Sequence, residues 1–208
     1  MTKKPETVNR EDLTKRKDGL YYKKNSKVPF TGTSEQFHTN GQLMREGNIK
    51  NGKHIGLWKD YYDNGQLKEQ TNYKNGVLHG LYETFHENGQ LELRVNFKNG
   101  QREDGLHEVF HENGQLALRV NFKNDKIEGL NESFHENGQL ALRVNFKNDK
   151  TEGLHESFHE NGQLLERGNF KDGKEHGLWE YFDEKGSLTK SETSKNGKLI
   201  KEMHHVSI

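Results

Sequence analysis

The sequence predicts an all-β fold: an elongated single antiparallel sheet, a twisted meander of about fifteen strands built from tandem hairpins of about 24 residues. Three observations carry this. Glycines recur at Gly32, Gly56, Gly80, Gly105, Gly129, Gly153 and Gly177. A second series, Gly41, Gly65, Gly89, Gly114, Gly138, Gly162 and Gly186, keeps the same interval, and the first six of these follow Asn. Between the glycines the chain alternates, with Leu91, Leu93, Val95 and Phe97 pointing one way and Glu92, Arg94, Asn96 and Lys98 the other. A helix of this pattern would carry apolar residues all round, and the Asn-Gly pairs would break it.

Residues 1–31 form an N-terminal segment, in which GLYYKKNSKVPFTG (19–32) reads as an opening hairpin with Pro29 at an edge. Seven repeats follow over 32–197, and 198–208 form a cap that is either a last strand or a short helix. The repeats share the stretch FHENGQL at 85–91, 110–116, 134–140 and 158–164. Parity selects its turn. A two-residue Asn-Gly turn would set Phe85 opposite Glu92, whereas a loop of Glu87-Asn88-Gly89 with a left-handed Gly sets Phe85 opposite Leu91. Continued outward, the second choice sets Glu83 opposite Leu93 and Leu81 opposite Val95. The other connection, Lys74-Asn75-Gly76, admits the same loop and returns Leu81 opposite Glu69. One extra residue lies within 101–104, where a bulge or longer turn is expected.

Composition bounds the function. Residues AVILMFWYC make up 28% of the 208, too few for a thick two-layer core, yet 10% are aromatic at regular positions, which opposes disorder. Thirty-two basic residues balance thirty-two acidic ones, so nucleic acid is not an expected partner. There is no Cys, hence no thiolate chemistry and no disulfide. No apolar run reaches the ~18 residues of a membrane span. As written the chain is expected to be cytoplasmic, and secreted or cell-surface if a leader has been removed.

The chemistry-bearing residues are periodic. His86, His111, His135 and His159 share one slot, about 9.5 Å apart on alternate strands, too far to converge on one metal ion. No nucleophile, phosphate loop, cofactor motif or metal set stands out, so no enzyme is expected. What stands out is surface. Tyr61, Phe85, Phe110, Phe134, Phe158 and Phe182 form one row, and Tyr73, Phe97, Phe122, Phe146 and Phe170 a second. Together with Trp58 and Trp179 they make the candidate interaction face, with Glu83, Glu108, Glu132, Glu156 and Glu180 on the same side. Arg94, Arg119, Arg143 and Arg167, with rows of Lys and Asn, are assigned to the opposite side. No second layer is apparent, so the apolar face is covered either by its own curl or by a partner.

The units GLWKDYYDNGQLKEQTNYKNGVLH (56–79) and GLWEYFDEKGSL (177–188), with the opening KDGLYYKKNSKVPFTG (17–32), resemble the MORN repeat, in particular the variant found in bacterial YwqK-family antitoxins. The resemblance covers about residues 17–197. It departs in the middle units, where the Trp of 58 and 179 becomes Tyr82, His107, Asn131 and His155. It implies an elongated sheet of hairpins serving as a non-enzymatic scaffold with a protein partner. The alternatives it brings are an antitoxin or immunity protein, an exported interaction protein, and peripheral phospholipid binding.

Overall fold

The computed structural model describes residues 5–205; the ends of the N-terminal segment and of the C-terminal cap (1–4 and 206–208) lie outside the described residues. The fold is all-β, with twenty-one strand segments and one 3-10 turn, Arg10–Asp12, among the described residues. The chain divides into two compact units, one through Glu103 and one from Asp104.

The repeated hairpin is clearest in Val77–Phe85 and Leu91–Lys98. Its loop is the three-residue one. The Gly89 N–H donates to the His86 carbonyl at 2.9 Å, the His86 N–H donates to the Gln90 carbonyl at 2.9 Å, and Gly89 has φ +84. Asn88 Oδ1 accepts from the Gln90 N–H at 2.9 Å, so the Asn side chain braces the turn. Phe85 pairs with Leu91 as the parity argument requires.

Beyond that pair the structure corrects the expected register. Thr84 pairs with Leu93, Glu83 with Arg94, Tyr82 with Val95, Leu81 with Asn96 and Gly80 with Phe97. Glu92 is the extra residue of a bulge, and one extra residue exchanges the faces of everything beyond it. The same shift recurs beside each equivalent Phe or Tyr, from Phe37 to Phe182. The second connection is also corrected. Lys74 pairs with Val77 across a two-residue turn, Asn75-Gly76, with φ +52 and +85. Both central residues are left-handed, the twist that suits a two-residue hairpin. A further bulge at 71–73 then brings Thr71 opposite Tyr82 and Glu69 opposite Thr84, not opposite Leu81. At 101–104 the strand stops after Gln101–Arg102, and Asp104 instead accepts the Asn124 N–H at 2.7 Å.

The ends differ from each other. Thr7–Asn9 lies parallel to Thr33–Glu35 and closes the starting edge of the first unit. The hairpin before the first repeat joins Leu13–Lys15 to Tyr21–Lys23, and Pro29 makes a single bridge to Tyr22, so the opening hairpin begins earlier than 19. At the far end Lys198–His204 is a strand, antiparallel to Leu188–Lys195, with every residue exposed.

The inner side of each unit follows from the corrected register. In the first unit the N-terminal segment supplies the second layer that the sequence did not reveal. Leu13, Phe30, Ile49 and Trp58 form a buried cluster, with Val8, Tyr21 and Tyr73 packed against it. His54 is stacked between Tyr21 (5.0 Å) and Trp58 (3.9 Å). In the second unit Val144, Trp179, His107 and Asn131 are buried, and side chains of the same face cover one another.

These buried positions obey a volume rule. A Cβ on Gly47 would lie 2.0 Å from the Trp58 ring, and one on Gly168 would lie 2.1 Å from the Trp179 ring. Where the earlier residue is Thr71 its partner is Tyr82, and where it is Val144 its partner is His155. As one side chain grows, the facing one shrinks, which keeps the layer close-packed.

Candidate interaction face

The exchange of faces sorts the sequence-predicted site residues into two groups. Trp58, Tyr73, Phe97, Phe122, Phe146, Phe170 and Trp179 lie on the inner side. Trp58 meets Tyr73 edge-on at 6.3 Å, Tyr82 meets Phe97 at 5.7 Å, and Phe170 meets Trp179 at 5.1 Å. Trp58 and Trp179 are each 2% exposed, so they are packing residues of the interior and are corrected out of an exposed face. The Trp58 indole N–H donates to the Asn48 carbonyl at 3.2 Å.

Tyr61, Phe85, Phe110, Phe134, Phe158 and Phe182 lie on the outer side, with Lys59 two residues before Tyr61 and a glutamate two residues before each Phe. The Tyr61 hydroxyl donates to Glu46 at 2.7 Å, and burial together with that hydrogen bond pushes its pKa up to about 12. The arginines expected on the opposite side belong to this face too. Arg94 pairs with Glu83 at 2.8 Å, and Gln70 donates to the same carboxylate. In the second unit Arg119 reaches Glu108 (3.4 Å) and Glu132 (3.5 Å), Arg143 reaches Glu132 (3.1 Å), and Arg167 reaches Glu180 (2.6 Å). The Arg167 guanidinium also sits 5.7 Å over the Phe182 ring. Glu and Arg therefore alternate strand by strand. The half-exposed pairs contribute only about 0.2–1 kcal/mol each, whereas the Glu83 carboxylate is buried and relies on Arg94 and Gln70 for its partners; together the pairs neutralise the face.

Each first strand of the second unit thus presents Leu, Glu and Phe outward at alternate positions: GLHEVF, GLNESF, GLHESF and GLWEYF. Their leucines, Leu106, Leu130, Leu154 and Leu178, are 48%, 40%, 44% and 53% exposed. The sequence pattern groups Leu81 with Glu83 and Phe85 on one face, but the exposed leucine row itself is not singled out there. An Asn row faces it across the strands, pairing Leu106 with Asn121, Leu130 with Asn145 and Leu154 with Asn169. The Asn121 side chain donates onward to the Leu130 carbonyl at 3.3 Å.

The histidines of FHENGQL have a structural task. The rings of His111, His135 and His159 hydrogen-bond through Nε2 to the carbonyls of Phe134 (2.8 Å), Phe158 (2.9 Å) and Phe182 (3.1 Å). His38 does the same with Tyr61 at 2.9 Å, and Tyr62 replaces His by donating its hydroxyl to Phe85 at 2.7 Å. The loop asparagines Asn113, Asn137 and Asn161 donate to the Glu136, Glu160 and Glu184 carbonyls at 2.6–2.8 Å. These loops are each stitched to the equivalent stretch one repeat later. Identical stretches such as FHENGQLALRVNFKND (110–125 and 134–149) arise naturally from a structure in which a unit binds itself. Among the described residues no cluster of His, Asp and Glu has the arrangement of a metal site. No helix there is long and apolar enough to cross a membrane.

No curated protein matches the chain in sequence. The MORN repeat variant family matches seven times, at residues 30–51, 55–75, 78–99, 103–124, 127–148, 151–172 and 175–196. These matches step in phase with the hairpins, and the family is a repeat scaffold of protein and membrane interaction rather than a catalytic one. With the matched segments covering most of its length, the chain belongs to the MORN repeat variant family.

Proposed function

We propose that the chain is a non-enzymatic scaffold that binds another protein through its outer face. One observation carries the reading: the second unit presents Leu, Glu and Phe, flanked by Asn and Arg, four times over, and leaves the leucines open to solvent. Equivalent rows recur every second strand, about 9.6 Å apart. A partner that lies across several strands meets the same chemistry at each step. The alternation of Glu and Arg favours a protein surface over an anionic bilayer, because attraction to lipid needs an uncompensated basic patch. Apolar rows rimmed by compensated charge have the composition of a protein-binding patch.

Leu130→Asp combined with Leu154→Asp tests the reading, since both positions face solvent and the fold does not need them. With the full chain as bait in cells that express it, quantitative cross-linking should lose its principal partner about tenfold, while the circular dichroism spectrum stays unchanged. Retention of the same partner at the same yield by the variant would refute the assignment of this face.

A further inference from the structure

A cleft on the inner side of the first unit is separate from the outer face and independent of the proposed scaffold role. It is lined by Arg10, Glu11, Leu13, Tyr21, Gln36, Arg45, His54 and Trp58 and encloses about 360 Å³. That volume falls in the range of small-molecule sites, about 300–1,000 Å³. Its two sides come from different parts of the chain: the N-terminal segment brings Arg10, Glu11, Leu13 and Tyr21, and the first two repeats bring the rest.

One wall is flat and aromatic. Tyr21, His54 and Trp58 lie ring on ring, with Tyr21 and His54 within 1° of parallel. The other feature is positive charge. The Arg10 guanidinium lies 4.6 Å over Tyr21, the Lys15 ammonium 5.7 Å from the same ring, and the Arg45 guanidinium 5.2 Å over Trp58. Glu11, Asp60 and Glu69 are the acids nearby, Asp60 lying 3.0 Å from Arg45 Nε and opposite Glu69 on the next strand. The three cations lie over the aromatic wall itself, whereas Asp60 is placed between Arg45 and its cross-strand neighbour Glu69. The His54 ring registers the same field: burial first, then Arg45, Arg10 and Lys15, hold its pKa down at about 4. Nothing in the packing of a repeat requires a guanidinium here, since the positions equivalent to Arg45 in other repeats include Leu93, Leu118 and Leu142.

We propose that this cleft binds a small carboxylate that carries a flat ring. The carboxylate sits between the guanidiniums of Arg10 and Arg45, a geometry that planar forks suit. The Gln36 amide donates to it, and the ring lies against the Tyr21–His54–Trp58 wall, where aromatic contact area is available.

Benzoate is the probe. Titrated into the full chain, it should shift the Trp58 indole N–H and His54 ring resonances saturably, with the Trp179 indole unmoved. Arg10→Gln should weaken binding about tenfold, the loss of one charge-assisted contact. Glu11→Gln, at an exposed position that the fold does not need, should strengthen it two- to threefold by removing repulsion, which keeps the proposal testable if Arg10→Gln loosens the N-terminal segment. Benzyl alcohol and inorganic phosphate separate the two halves of the ligand. Equal affinity for benzyl alcohol removes the role of the charge, and equal affinity for phosphate removes the role of the ring. No saturable shift with benzoate up to tens of millimolar, or no change of affinity in Glu11→Gln, overturns the proposal.

Discussion

Trp58 and Trp179 occupy the same slot of the repeat, yet they live differently. Both are 2% exposed, and each sits over a glycine eleven residues earlier in the chain. Trp58 belongs to a cluster closed by Leu13 and Phe30 from the N-terminal segment, stacks on His54, and satisfies its indole N–H on the Asn48 carbonyl. Trp179 packs on Phe170 and His155, and its buried indole N–H has no hydrogen-bond partner among the described residues. Equal burial thus hides unequal support. One tryptophan anchors a covering layer, whereas the other fills a gap that glycine leaves in a self-covered face.

The comparison is sharpest under matched truncation. Trp58→His should cost about 4–5 kcal/mol and Trp179→His about 3 kcal/mol. The first loses a cover, a hydrogen bond and the packing term; the second loses packing and sheds an unsatisfied donor. Because repeat arrays can unfold in parts, native-state hydrogen exchange in Lys53–Tyr61 and Gly177–Phe182 is the appropriate measurement. Equal losses at the two sites would show that the N-terminal segment contributes nothing to Trp58.

The volume rule gives the next test. Gly168→Val drives its side chain into the Trp179 ring and should cost about 3 kcal/mol. Adding Trp179→His recreates the pair already present as Val144 and His155 and should restore all but about 1 kcal/mol. Additive losses in the double variant would refute compensation between the two slots.

This rule is legible in the sequence. Gly47 precedes Trp58, and Gly168 precedes Trp179, by eleven residues, while the middle repeats replace both members together. The hairpins, the three-residue loop and the Phe85–Leu91 pair followed from glycine spacing and parity, because those signals are local. The faces did not follow. A bulge adds one residue without a sequence mark of its own, and Glu92, Ala117 and Ala141 look like ordinary alternating positions. Burial of Trp was a better guide than alternation. Had Trp58 been assigned inward as the largest apolar residue of its strand, Leu57 and Lys59 would have been assigned outward, and with them the Leu and Glu rows. The cleft was hidden for another reason: Arg10 and Arg45 are thirty-five positions apart and meet only once the N-terminal segment folds back.

His54 gives the first unit a pH dependence that the second has no counterpart for in that slot, where Ile127, Thr151 and Glu175 stand. Its folded pKa, about 4, lies below the unfolded value of 6.5. The unfolded chain therefore binds the extra proton first. Full stability is present above about pH 6.5 and is lost as pH falls toward 4, by about 2 kcal/mol once the partial exposure of the ring is allowed for. Denaturant unfolding of the first unit between those pH values should show the slope, and His54→Leu, the residue of the next repeat's slot, should flatten it. An unchanged slope would place the effect in other groups.

The smallest contrast lies within the second unit's two-residue turns, where Asp125 (φ +58) and Asp149 (φ +65) stand where other repeats have Gly. A left-handed Asp is strained relative to Gly by about 1 kcal/mol, partly offset by the greater unfolded-state freedom of Gly. Asp125→Gly should therefore gain about 0.5 kcal/mol. Asp149 differs, because its carboxylate accepts the Ile127 N–H at 2.7 Å and links one turn to the strand before it. Asp149→Gly loses that bond, about 1 kcal/mol, and should be neutral to slightly destabilising. Thermal unfolding of the two single variants side by side decides it: an equal gain in both would mean that the stitch between neighbouring repeats carries no stability at this turn, and that the left-handed backbone alone sets the preference for Gly.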